Sequence, residues 1–160
     1  MAIEALYSKY NKTSFKIGIV LCVAVAIIFA YDGYLSKYEW SLRRSFYEEH
    51  VKDGKPDFDM VFNQKSPLVF VAFAAVLTAW FRARKNKKVI ADENELIISD
   101  KKRISYDSIE QIDKTYFEKK GFFVITYKDK DGKEVRHKLN ERTYDNLAAI
   151  LEYLVAKISA

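Results

Sequence analysis

The chain has 160 residues, with 27 Lys/Arg against 22 Asp/Glu and a formal net charge of +5. One cysteine, Cys22, and two histidines, His50 and His137, exclude an internal disulfide and a cysteine-based metal cluster. The length suits one soluble domain or a small membrane protein with a soluble appendage.

The averages hide a segregation of charge. Lys9, Lys12 and Lys16 stand against Glu4 in the first 16 residues. Residues 17–31, "IGIVLCVAVAIIFAY", carry no charge, and neither do residues 66–81, "SPLVFVAFAAVLTAWF". Between them six Lys/Arg meet seven Asp/Glu. Then come Arg82, Arg84, Lys85, Lys87 and Lys88 within seven residues, while residues 89–160 are close to neutral. This basic cluster abuts an apolar run instead of covering a folded face. That favours a membrane and argues against a nucleic-acid partner.

Each apolar run is short for a hydrocarbon core of about 30 Å. Flanking residues extend them, because lysine and arginine snorkel and Tyr31, Tyr34, Trp80 and Phe81 suit headgroup levels. The spans are predicted over about 15–34 and 66–82. Ser66 reads as an N-cap and Pro67 as the first helical residue. Two buried core helices are the alternative, but wrapping them needs more protein than this chain has. A cleaved signal peptide is another alternative for the first run, and the second run argues against it. The Lys/Arg asymmetry predicts cytoplasmic termini and an extracytoplasmic loop, in a multi-pass protein of a bacterial inner (cytoplasmic) membrane. Residues 1–88 then form a membrane hairpin.

In the loop, Leu35, Tyr38, Leu42 and Phe46 recur at helical spacing, which predicts an amphipathic helix over about 35–50. Tyr38, Trp40, Leu42 and Phe46 are the candidate partner contacts. "KDGKPDFDMVF" follows as a turn leading back to the apolar run. Asp57 and Asp59 find no complementary acid or base in the pattern. Two histidines suggest no metal site unless carboxylates join them in a defined geometry.

From residue 89 the period changes to two. "ELIIS", "GFFVITYK" and "KEVRHKL" read as antiparallel strands, with "DKDG" as a hairpin turn. "IEQIDK" is bent or starts after a turn. "DKDG" lacks the later ligands of a calcium loop. "NERTYDNLAAILEYLVAKI" reads as an amphipathic helix capped by Asn140 or Thr143. Its interface with the sheet would use Phe123, Ile125, Leu147, Leu151 and Leu154.

Two spans followed by Arg103, Ile104, Tyr106, Ile109 and Ile112, then hairpin strands and a terminal helix, resemble the bacterial pleckstrin-homology-like (bPH) domains. The resemblance covers about 89–158. Tyr106 departs from the tryptophan common in the family. It implies a small antiparallel sheet or partial barrel closed by the C-terminal helix, so the expected fold is a membrane α-helical hairpin plus an α+β cytoplasmic domain, 89–160. A further strand is missing or comes from 86–91.

No Gly-rich phosphate loop, nucleophile–base pair or metal cluster is legible, so no enzyme, cofactor or metal is expected. The expected role is a non-catalytic accessory, anchoring or assembly subunit (a scaffold) of a bacterial inner-membrane complex. Its partners would be other membrane subunits, and homo-oligomers are allowed. The alternative is a membrane-surface module. In it Arg82, Arg84, Lys85, Lys87 and Lys88, with Lys101, Lys102 and Arg103, contact anionic lipid headgroups.

Overall fold

The computed structural model describes residues 2–99 and 102–158. It comprises two compact units, Met1–Thr13 with Ala83–Ala160, and Ser14–Arg82.

The first unit is built on a pairing absent from the sequence reading. Strand β1 (Ile3–Leu6) runs antiparallel to β4 (Lys88–Ala91), with Ala5 opposite Val89 and Ile3 opposite Ala91. β4 thus supplies the strand sought at 86–91. The order continues through β5 (Glu95–Ser99) to β6 (Lys102–Ser105). The turn expected between them includes Asp100 and Lys101, which lie outside the described residues. A 3-10 turn, Tyr106–Ser108, then precedes β7 (Ile109–Asp113), whose register with β8 (Phe122–Lys128) shifts between Ile109 and Gln111. The bend expected in "IEQIDK" is therefore a turn plus a bulge. β8 pairs along its full length with β9 (Glu134–Asn140). Gly132 closes that hairpin at φ +75°. The Asp129 carboxylate accepts the backbone N–H groups of Asp131 and Lys133 at 2.9 and 3.0 Å. "DKDG" is thus a hairpin turn in which the Asp129 carboxylate is already engaged.

The expected partial barrel sealed by the terminal helix does not form. Among the described residues the strands make three open sheets in a mixed α/β arrangement, β1–β4–β5–β6, β7–β8–β9 and a hairpin of two-residue strands in the second unit. The turn at Tyr106–Ser108 separates β6 from β7, which share no ladder, and each lies at a sheet edge. Helix α5 (Leu147–Ile158) is shorter than predicted and starts after turns. Asn140 Oδ1 accepts the Arg142 N–H at 2.8 Å instead of capping the helix. Leu147, Ile150, Leu151 and Leu154 of α5 join Phe123, Ile125, Ala5, Val89 and Leu96 in one buried cluster. The five residues expected at the sheet–helix interface are all in it. A short helix α4 (Phe117–Lys120) precedes β8 and ends at Gly121, which is left-handed at φ +64°.

The second unit is a helical hairpin. Helix α1 (Lys9–Ala30) begins in the first unit and continues through a π-helical turn, Tyr31–Leu35. Its partner α3 (Phe58–Arg84) is longer at its start than predicted. Pro67 lies inside α3, and Asp57 is the cap, its Oδ1 accepting the Met60 N–H at 3.0 Å. Phe15–Phe81 and Phe29–Phe62 ring contacts mark the hairpin's two ends, with centroids 6.2 and 5.5 Å apart. Pro67 has no N–H, so the Asn63 carbonyl lacks its usual intrahelical donor. That carbonyl lies against Gly33, where an added Cβ would fall 2.7 Å from its carbon and oxygen. Tyr34 Oη donates to the Gln64 carbonyl at 2.6 Å, and Gln64 Nε2 donates to the Gly33 carbonyl at 3.2 Å.

Lys9–Leu35 and Phe58–Arg84 are each 27 residues and apolar enough to cross a membrane. The sharper assignment, a multi-pass protein of the bacterial inner membrane with cytoplasmic termini, is corrected. The two apolar windows are only 6% and 11% buried, and length and composition are all that mark them as spans. Length and apolarity are met equally by other kinds of helix. Lys9 and Lys12, counted as flanking charges, also lie within α1 itself.

Gly33→Ala is expected to lower stability by about 1–3 kcal/mol, as overpacking does. Gly18→Ala, whose Cβ would meet Leu77 Cδ1 at an ordinary 3.6 Å, should be neutral or gain up to about 1 kcal/mol from helix propensity. Thermal melts of the two variants check this, and equal melting points would refute the close crossing at Gly33.

Candidate functional site

Between α1 and α3 the predicted amphipathic helix is only half present. Residues 36–43 are turns, and α2 (Arg44–His50) is a two-turn helix. The segment nonetheless has one defined path. Arg43 forms a two-point ion pair with Asp32, Nε to Oδ1 at 3.0 Å and Nη2 to Oδ2 at 3.2 Å. Ser36 is fully buried and donates through Oγ to the Asp32 carbonyl. Ser41 Oγ donates to Tyr31 Oη, which also accepts the Leu42 N–H, both at 3.3 Å. Arg44 binds the Lys37 carbonyl and, at 2.9 Å, Glu48.

This polar frame presents apolar side chains to solvent. Tyr38 and Trp40 stack with centroids 5.6 Å apart and ring planes at 11°. Trp40 is 66% exposed and Leu42 93%. Phe46, the fourth predicted contact, turns inward, its ring between the Arg43 guanidinium at 5.2 Å and the His50 ring at 4.3 Å. Three of the four predicted contact residues are thus exposed on one turn segment, and Phe46 supports the ring of a histidine.

The basic cluster straddles the boundary between the units, which falls between Arg82 and Ala83. Arg82, Arg84, Lys85, Lys87 and Lys88 are all exposed. Lys88 is committed to Glu4, Nζ to Oε1 at 2.8 Å, within the β1–β4 pairing. In the same unit Arg103 pairs with Glu95 at 2.9 Å. Lys101 lies outside the described residues.

The two histidines differ. His137 on β9 is half-buried, and its Nδ1 lies 3.0 Å from Lys102 Nζ, which also sits over the Tyr127 ring. Burial, reinforced by the Lys102 charge, pushes its pKa down. The ammonium is then the donor and the ring nitrogen the acceptor. His50 closes α2, and its Nδ1 lies 2.7 Å from Asp57 Oδ2. That hydrogen bond raises the His50 pKa despite some desolvation. The Met60 N–H, and then His50, hold Asp57 below the usual carboxylate range. Residue spacing alone gives Asp57 no partner. The signal was available in "DG" at 53–54, a hairpin turn that returns the chain to His50.

Comparison with protein-family models, with curated proteins and with solved structures finds no match.

His137 supplies a pH test. Its folded pKa lies below the unfolded value of about 6.5, so the unfolded chain binds the proton more readily. Stability should be full above about pH 6.5 and fall as pH drops from there toward the folded pKa. Lys102→Met should shrink this loss. Denaturation midpoints at neutral and mildly acidic pH check both, and a loss undiminished in Lys102→Met would rule out the pairing as its source.

Proposed function

We propose that this chain is a non-catalytic accessory, anchoring or assembly subunit of a membrane protein complex, with other membrane subunits as partners. One observation carries the reading: two long apolar helices stay almost uncovered within the chain, beside a turn segment that holds Tyr38, Trp40 and Leu42 in the open. Uncovered apolar surface of this extent marks an interaction surface. The segment is already ordered by the Asp32–Arg43 pair and the buried serines. Docking on it would cost little further ordering entropy. Tyrosine and tryptophan are also the side chains that most often anchor an interface.

The resemblance to bPH domains belongs to this proposal. It rests on the Arg103, Ile104, Tyr106, Ile109, Ile112 phrase and carries no barrel closure. Members of that family are described as membrane-associated and non-catalytic, which agrees with a scaffold role.

A second reading is favoured by the exposure of Arg82, Arg84, Lys85 and Lys87. A membrane-surface module would use them on anionic lipid, each charge contributing about 1 kcal/mol near such a surface.

Gentle extraction with the full chain as bait should recover membrane subunits at fixed stoichiometry. Trp40→Ala and Leu42→Asp should each reduce recovery at least about tenfold, as loss of a central anchor does, with unchanged melting. Solitary, monodisperse chain would refute the accessory reading. Co-flotation with vesicles containing phosphatidylserine, lost when Lys85 and Lys87 become Gln, would support the second reading. Equal flotation with neutral vesicles would refute it.

A further inference from the structure

We propose that His50, Asp57 and Asp59 form a binding site for a divalent transition metal of the Zn²⁺ class. The inference is independent of the accessory reading.

The residues are brought together by backbone geometry. α2 ends at His50, and β2 (Val51–Lys52) and β3 (Lys55–Pro56) then form a minimal hairpin. Its turn residues Asp53 and Gly54 sit at φ 51° and 71°, as a tight two-residue hairpin turn requires. The Asp57 N–H donates to the His50 carbonyl at 2.9 Å. α3 then begins, setting Asp57 at its cap and Asp59 in its first turn. One donor atom from each of His50, Asp57 and Asp59 lies within 4.8 Å of the others.

Local bonds account for part of this arrangement and leave the rest usable. Asp57 spends Oδ1 on the helix, and its Oδ2 shares with His50 Nδ1 a proton that a metal ion would displace to solvent on binding both atoms. From His50 Nδ1 the carboxylate oxygens of Asp57 and Asp59 lie at 2.7 and 3.8 Å. Ligands at zinc bond lengths of about 2.0–2.2 Å in a tetrahedron stand roughly 3.3 Å apart. The two observed spacings bracket that value, so small side-chain rotations suffice. The Phe46 ring, 4.3 Å away, braces the imidazole, which no longer has to be ordered by the metal. The His50 side chain is 17% exposed, against 48% and 63% for the two aspartates. The open side leaves room for water or a further ligand.

The donor set selects the ion. One imidazole with two carboxylates suits Zn²⁺, Co²⁺ or Ni²⁺, whereas Ca²⁺ and Mg²⁺ prefer oxygen alone. Lys52 and Lys55 line the adjoining cleft with Glu49 and Pro56. They oppose a cation only as exposed charges, in the range where salt screens them.

The test is calorimetric titration of the full, tag-free chain with Zn²⁺ alone, repeated with Co²⁺ to read its visible absorption. The expected result is saturation at one ion per chain. His50→Gln should abolish it, and Asp59→Asn should weaken it at least about tenfold, since shell changes alone cost that much. His137→Gln should leave it unchanged. Asp59 is exposed, so its variant keeps the fold, and melting curves verify this for all three. No saturable binding would overturn the proposal. So would binding that survives both His50→Gln and Asp59→Asn, or that disappears with His137→Gln.

Discussion

The pairing of β1 with β4 is the constraint on which the first unit depends. Leu6 faces Lys88 across the ladder, so everything from α1 to α3 is an excursion between two neighbouring strands. Closing so long a loop costs roughly 4 kcal/mol by chain entropy alone. Two things offset it. The Phe15–Phe81 contact brings the ends of the excursion together inside the hairpin. The ladder itself buries Ala5, Val89 and Ala91 completely. Further bonds tie the N-terminal segment down: Ser8 N–H to the Thr143 carbonyl at 2.8 Å, Lys9 N–H to Asp145 at 2.9 Å, and Lys88 to Glu4. With β1 in place, the apolar face of α5 has a surface to cover, since α5 packs on β1 and β4.

The second unit follows a different logic. Its helices meet where both backbones depart from regular α-helix. α1 relaxes into a π-turn that contains Gly33, and α3 loses a hydrogen bond at Pro67. The glycine lets the Asn63 carbonyl approach, and the Tyr34–Gln64–Gly33 bonds lock the crossing. Outside that crossing little of either helix is covered. Apolar surface is thus concentrated outward, while polar groups are spent inward on fixing the turn segment 36–43. This inverts the usual pattern, in which apolar side chains turn inward and polar ones outward.

The candidate sites were unequally legible. Tyr38, Trp40 and Leu42 stood out as aromatic and aliphatic residues in a polar loop. Of the helix inferred from the spacing of Leu35, Tyr38, Leu42 and Phe46 only α2 forms, because residues 36–43 run through turns held by the Asp32–Arg43 pair, Ser36 and Ser41. Phe46 shared that spacing and turned inward. Asp57 and Asp59 looked like solvated loop acids, because spacing alone does not show which chain segment returns to meet them. The Asp53–Gly54 turn decides that, and it brings in His50 from seven residues upstream.

Apolar runs, charge blocks, strand alternation and the Gly132 hairpin could be read from the order of residues, because each depends on neighbours within a few positions. Local patterning therefore determined two long apolar helices, a set of antiparallel hairpins and a terminal amphipathic helix. Strand β1 could not be read this way, since "IEAL" is too short to signal a strand and its partner lies more than eighty residues away. Nor could the openness of the sheets, in which β6 and β7, separated by the turn at Tyr106–Ser108, share no ladder. Pro67 looked like a helix start, but the capping oxygen of Asp57 and the contact at Gly33 put it in the middle. Those features belong to tertiary structure, because each depends on groups that only the folded chain brings within bonding distance.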